Sequence, residues 1–177
     1  MADARGIRSF PGRAVGILHD RILIFGNSGA GKSTLAKSLA EIYALPHLDL
    51  DGLAWEKAVA PTRRALARSR VEIDRFTAAN DGWVIEGAYA DLLGLLLEDC
   101  SELVFLNPGV DACVANCRAR PWEPHKYSDK TAQDRNLEFL IGWVREYPTR
   151  DDEYSLSSHR WLFDRFNGVK REYSALS

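Results

Sequence analysis

Gly26-Asn27-Ser28-Gly29-Ala30-Gly31-Lys32-Ser33 is the stretch on which the reading of this chain turns. It matches G-x-x-x-x-G-K-[ST] in full. The apolar run Ile22-Leu23-Ile24-Phe25 leads into it, and Thr34-Leu35-Ala36-Lys37-Ser38-Leu39-Ala40 leads away. A buried strand that enters a glycine-rich turn and leaves as a helix can bring backbone N–H groups close to phosphate oxygens. The unpaired N–H groups and positive dipole end of the helix face the same anion. Gly26 to Thr34 therefore form the expected phosphate cradle. In it Lys32 reaches the β- and γ-phosphates and Ser33 ligates Mg²⁺. ATP and Mg²⁺ are the cofactors this pattern implies.

Outward from the loop, strand and helix patterns alternate. Arg21 to Phe25 reads as a strand and Lys32 to Ala44 as a helix with a buried stripe at Leu35, Leu39, Ile42 and Tyr43. Pro46 ends it, and His47-Leu48-Asp49 is a short second strand. Thr62, after Pro61, is the expected N-cap of a helix running to about Asn80, with Leu66, Ser69, Ile73 and Phe76 on one face. Trp83-Val84-Ile85 is a third strand, followed by a short apolar helix at Leu92 to Leu97. Glu102 to Leu106 is a fourth strand, and Val110 to about Arg118 a helix. Thr131 to Tyr147 is a long amphipathic helix carrying Leu137, Leu140, Ile141, Val144 and Tyr147, and Ser158 to Phe166 a last helix. Such alternation specifies an α/β fold of three layers, a parallel sheet between helices, with ligands at the carboxyl ends of the strands.

Those ends carry the acids. Asp49 and Asp51 follow the second strand and Glu86 ends the third. A Mg²⁺ site needs a carboxylate besides the serine hydroxyl, and phosphoryl transfer needs a group to orient the acceptor. Asp49 and Glu86 are assigned to the metal side with Ser33, and Asp51 to the acceptor side. Arg118 and Arg120 stand where a helix gives way to an irregular segment. They are expected to clamp phosphoryl oxygens from a small lid over about residues 119–130, with Lys126 and Arg135 beyond. Arg63 and Arg64 open the helix after the second strand, and Trp55 and Tyr89 flank the same region as candidate walls of an acceptor pocket. His47, His125 and His159 read as surface or structural residues.

Bulk properties narrow the classes. The 177 residues suit one domain, residues 21–177, preceded by an extension over 1–20 without the apolar core of a secretory signal. With 46% hydrophobic and 27% charged residues the composition is that of a soluble globular protein. A net charge of −2 and a pI near 6.1 supply no global attraction to nucleic acid or membrane. No apolar run approaches the roughly 20 residues of a membrane helix. Cys100, Cys113 and Cys117 are expected as reduced thiols of a cytoplasmic protein.

The loop, the H-L-D at His47 to Asp49, the W-V-I-E-G at Trp83 to Gly87 and the short lid resemble the adenylate-kinase-like P-loop proteins. The branch described as DNA-topology-modulation or adenylate-kinase-related proteins is the most similar, and Leu137 to Pro148 looks like its long helix. Shikimate and gluconate kinases are relatives. The resemblance implies a sheet in the order 2-3-1-4-5, ATP as donor, Mg²⁺ as cofactor and arginines contributed by the lid. It aligns Asp49 and Glu86 with the family's acids at the ends of strands 2 and 3, and Asp51 with the second acid of the D-x-D of shikimate kinases. Two features depart from it. Glu86-Gly87-Ala88-Tyr89 replaces the Asp-Gly and Pro-Arg of nucleotide kinases, which counts against a nucleotide acceptor. Gly168 to Tyr173 is a weak strand pattern, so the fifth strand is read as reduced or missing. The expected activity is transfer of the ATP γ-phosphate to a small acceptor (nucleotide, sugar acid or similar alcohol). The alternative is a nucleotide-hydrolysing regulator of a macromolecule such as DNA.

Overall fold

The computed structural model describes residues 20–56, 62–122 and 128–174. In chain order the elements are β1 (Arg21–Gly26), α1 (Lys32–Tyr43), β2 (His47–Asp49), α2 (Asp51–Ala54), α3 (Leu66–Ala78), β3 (Trp83–Gly87), α4 (Ala90–Gly94), β4 (Glu102–Asn107), α5 (Val110–Ala119), α6 (Lys130–Arg145), α7 (Leu156–Arg165) and β5 (Val169–Ser174). The five strands form one parallel sheet in the order β2-β3-β1-β4-β5.

The sheet is apolar on both faces because helices cover both, which is why its inner strands read as unbroken apolar runs. Side chains alternate across it. Leu23, Phe25, Ile85, Leu103 and Phe105 join a core beneath α4 and α7, with Phe25 and Phe105 stacked at 4.8 Å between ring centres. Ile22, Ile24, Val84, Val104 and Leu106 face the other way, onto Ala36 and Leu39 of α1. Each such side chain, once fully buried, contributes about 1.5–3 kcal/mol. A smaller cluster of Cys113, Cys117 and Val144 packs against Ala30, and thereby backs α5 and α6 onto the Gly26–Ser33 loop.

Several expectations are corrected. The fifth strand is neither missing nor reduced: β5 has six residues, paired from Val169 opposite Glu102 to Ser174 opposite Asn107. Its sequence looks weak because it is an outer strand with charged residues at an exposed edge. It is anchored by Arg171 on Glu102 and by Glu172 on Arg160.

Thr62 does not cap α3, which starts at Leu66 after Ala65. Residues 62–64 instead pair with the segment after α2, through a Trp55–Arg63 bridge, Glu56 N–H to Thr62 O and Arg64 N–H to Ala54 O. Their backbone groups are satisfied by that pairing rather than by a helical turn. Arg63 and Arg64 therefore precede the helix. Ile42 lies at the margin of the buried stripe and is 66% exposed. The helices α6 and α7 begin one and two residues earlier than expected, because Asp129 and Ser155 cap them by accepting the N–H groups of Ala132 and Ser158.

The 1–20 extension lies outside the described residues except for Asp20, whose carbonyl already accepts the Trp83 N–H. His125 and Lys126, in the segment expected to form a lid, also lie outside them. Among the described residues no helix is long and apolar enough to cross a membrane.

Candidate active site

The phosphate loop runs from the end of β1 to the first turn of α1, and its glycines are dictated by space as well as by angle. Gly26 has φ +149°, and a Cβ there would lie 2.1 Å from the Leu106 carbonyl oxygen. Gly29 has φ +79°, and a Cβ would meet the Cys113 carbonyl oxygen at 2.3 Å and Cys117 Sγ at 2.8 Å. Gly31, at φ +93°, precedes α1, whose N-terminus has no side-chain cap and no acid in its first turn. Those uncapped N–H groups fit an anion.

Asn27 organises the loop. It is 5% exposed, its amide donates to Val144 O of α6, and its Oδ1 accepts the Ser28 N–H. Its carbonyl accepts both the Ala30 N–H and the Lys32 ammonium, the latter at 2.9 Å. Asn116 of α5 donates to Gly29 O.

Strand register sets the acids. Ile24, Glu86 and Asp49 are in register across β1, β3 and β2, so Glu86 and Asp49 project to the α1 side of the sheet, where Ser33 lies in the first turn of the helix. Glu86 is 2% exposed, and the nearby Ser33 hydroxyl is one of the groups that favour its charged form. His47, two residues before Asp49 on the same face, brings Nε2 to 3.8 Å from Glu86 Oε1. That is ion-pair range but beyond a hydrogen bond, and both atoms are buried without hydrogen-bond partners. Burial opposes the Glu86 charge, yet the neighbouring imidazole, the Lys32 ammonium and the Ser33 hydroxyl outweigh it. Its pKa lies below the ordinary carboxylate value. Sequence reading assigned His47 no partner; its register on β2 is what brings it to Glu86.

The residues fit a magnesium–nucleotide complex. The donors are oxygens, one of them a buried carboxylate oxygen lacking a partner. Among the described residues no group of three or more His, Cys, Asp or Glu side chains could hold a metal by itself. That suits a cation held by one or two carboxylates together with the phosphates it accompanies.

Asp51 opens α2 one turn away, and its N–H donates to Asp49 Oδ1 at 2.9 Å, tying the two acids together. Its Oδ1 accepts the Tyr89 hydroxyl at 2.7 Å, and the Tyr89 oxygen accepts Trp55 Nε1–H at 2.8 Å. Burial, reinforced by the Asp51 charge, pushes the Tyr89 hydroxyl far above the phenol range, so it stays a donor.

Arg63 lies over the Tyr89, Trp55 and Tyr154 rings at 4.9, 5.6 and 5.8 Å and pairs with Asp91 at 2.7 Å and Glu153 at 3.4 Å. Arg150 stacks on Trp143 and pairs with Asp152. Beside this cluster an open cavity of about 520 Å³ is lined by Ala90, Asp91, Asp151, Asp152, Glu153 and Trp161, among others. The helices α4 and α7 both present their N-termini at this carboxyl edge of the sheet.

Arg118 and Arg120, the arginines assigned to the expected lid, lie on and at the end of α5. Arg118, on α5, has Nη2 3.9 Å from Glu138 Oε1 of α6, and its side chain is mostly exposed. Arg120 is the C-cap residue of α5, and Arg135 lies on an exposed face of α6.

Among solved structures, the chain is similar to a gluconokinase from Sinorhizobium meliloti 1021, with a TM-score of 0.55 and 16% identity over 90% of this chain and 85% of that one. A shikimate kinase from Bacteroides thetaiotaomicron matches at a TM-score of 0.49 and 18% identity, over 88% of this chain and 86% of its own. An uncharacterized protein from Eubacterium ventriosum ATCC 27560 matches at 0.47 and 16%, over 90% and 91%. The fold is the P-loop kinase fold. Neither a protein-family model nor a curated protein sequence matches the chain.

Proposed function

We propose that the protein is an ATP-dependent phosphotransferase that moves the γ-phosphate of ATP to a hydroxyl of a small acceptor, with Mg²⁺ as cofactor. The observation that carries this reading is the register that sets Glu86 and Asp49 side by side on the α1 face of the sheet, near Ser33, with the Asp51 N–H hydrogen-bonded to Asp49 Oδ1. Donor-side and acceptor-side groups thus share one strand edge. In this reading Gly26 to Thr34 wrap the phosphates with their N–H groups, and Lys32 exchanges the Asn27 carbonyl for phosphate oxygens. Ser33, Asp49 and Glu86 would hold the cation or its water shell, and the cation would supply charge neutralisation for the phosphates. Asp51 orients the acceptor hydroxyl and takes its proton as its oxygen bonds the γ-phosphorus, while the bond from that phosphorus to the β–γ bridging oxygen breaks and ADP leaves. Arg118 and Arg120 are the cations that closure of the lid brings to the phosphoryl oxygens.

The gluconokinase likeness supports the fold on which such chemistry runs. The resemblance to the DNA-topology-modulation branch offers a regulatory NTPase as the second reading, with DNA as partner. The arginines of α3 do not favour it, since Arg68, Arg70 and Arg75 are each paired with an acid, Glu56, Asp74 and Glu72 respectively.

Substitution separates the donor and acceptor sides. Lys32→Ala and Asp49→Asn are each expected to lower ATP turnover by at least about 100-fold. Asp51→Asn is expected to leave Mg·ATP binding near wild type while turnover falls. Retention of full turnover in Lys32→Ala would contradict the proposal.

A further inference from the structure

We infer that Tyr89 is a positioning residue that orients the Asp51 carboxylate for the acceptor; this rests on the acceptor-side role proposed for Asp51. The directions of the hydrogen bonds follow from chemistry. An indole N–H can only donate and a carboxylate can only accept. With Trp55 Nε1 at 2.8 Å and Asp51 Oδ1 at 2.7 Å from the Tyr89 oxygen, the hydroxyl proton is therefore directed to Asp51. A hydroxyl that also accepts a hydrogen bond is polarised and is a stronger donor for it. Trp55 thus strengthens the hold on Asp51 without touching it.

The phenol is built to stay where it is. Tyr89 is 4% exposed, its ring meets Tyr154 edge-on at 5.3 Å, and the Arg63 guanidinium covers it at 4.9 Å. The backbone on either side is pinned as well: Ala88 O meets His159 Nε2 at 2.9 Å, and the Ala90 N–H donates to Glu153 O at 2.9 Å. Asp51 sits at the start of a four-residue helix, α2, which by itself is a weak platform. Rigidity at Asp51 comes instead across the sheet edge, from the turn after β3. This accounts for an aromatic residue just beyond Glu86-Gly87, where sequence reading found a departure from nucleotide kinases.

The test measures Mg·ATP consumption by the full chain, with water as acceptor and with gluconate, shikimate and AMP each added as probes. Tyr89→Phe keeps the ring and removes the hydroxyl. It is expected to lower kcat by about 30- to 100-fold, as displacement of a catalytic group by about 1 Å does, with the KM for ATP unchanged within about twofold. Trp55→Phe, which leaves the Tyr89–Asp51 bond in place, is expected to lower kcat less. The double variant Tyr89→Phe/Asp51→Asn should be no slower than Asp51→Asn alone, because Tyr89 acts through Asp51. Wild-type kcat in Tyr89→Phe while Asp51→Asn is slow would overturn the positioning role alone, as would losses that multiply in the double variant. Wild-type kcat in Asp51→Asn would overturn the acceptor role of Asp51 and the positioning role with it. Should Tyr89→Phe fail to fold, the same comparison is made with Trp55→Phe, for which equality with wild type or multiplication with Asp51→Asn overturns the proposal.

Discussion

Gly29 shows at the residue scale why the loop tolerates so little change. Its φ of +79° costs any other L-residue about 1–2 kcal/mol, and a Cβ would lie 2.3 Å from a backbone carbonyl that cannot turn aside. Gly29→Ala is predicted to lower the thermal midpoint by several degrees and to weaken nucleotide binding, as read by calorimetry of the free and ATP-saturated protein. Gly31 has a comparable φ but nothing within 4 Å of its Cβ position, so Gly31→Ala should cost strain without the clash and be the milder of the two. The glycines, lysine and serine were legible from spacing alone. The contacts that hold them were not, because they come from far along the chain. Asn27 bonds a carbonyl 117 residues away and Asn116 bonds one 87 residues away. No local pattern announces such a bond. The same is true of His47, whose proximity to Glu86 exists only once β2 and β3 are in register.

At the scale of elements, strands with buried residues on both faces were the easiest to find, since periodicity and burial agree there. The edge was the hardest. The β5 strand is held by a bidentate Arg160–Glu172 pair and by Asn107 on Glu172, not by apolar pattern. The start of α3 was misplaced because a tertiary pairing with residues 54–56 overrides a plausible cap at Thr62.

The helix α7 carries its own testable consequence. His159 is completely buried, bonded to the Tyr147 hydroxyl and to Ala88 O, and burial lowers its pKa from 6.5 to about 4. The unfolded chain therefore takes up a proton near pH 6.5 that the folded chain refuses until about pH 4. Folding stability should fall across that window as the pH drops, by about 3 kcal/mol at ~1.4 kcal/mol per pKa unit. Urea midpoints at pH 7 and pH 5 sample the upper part of that window and should register about 2 kcal/mol of it. His159→Gln keeps a donor and an acceptor while removing the titration, and should flatten the dependence between those two pH values. An unchanged slope in that variant would assign the effect to other groups.

Across the whole molecule, the donor groups of the proposed function lie on a rigid sheet edge and its acceptor groups on short, tied segments. That division explains why phosphate binding was readable and acceptor chemistry was not. A phosphate cradle is made of backbone, and its sequence requirements are local. The proposed acceptor pocket would be made of side chains from α2, the turn after β3 and the segment before α7, which only the fold brings together.

Charge is distributed in the same spirit, with the α3 arginines paired to acids rather than left as a basic face. Retention on immobilised DNA is predicted to be negligible at physiological salt, and charge reversal at Arg68, Arg70 and Arg75 should not change it. Salt-dependent retention lost on that reversal would favour the regulatory reading.

The most direct measurement follows the labelled γ-phosphate of ATP in the presence of small hydroxyl compounds that include sugar acids, polyols and nucleoside monophosphates. The account predicts that label passes to one organic acceptor, that this acceptor accelerates ATP consumption, and that both effects vanish in Lys32→Ala. Label that appears only as inorganic phosphate, at a rate no acceptor changes, would contradict it.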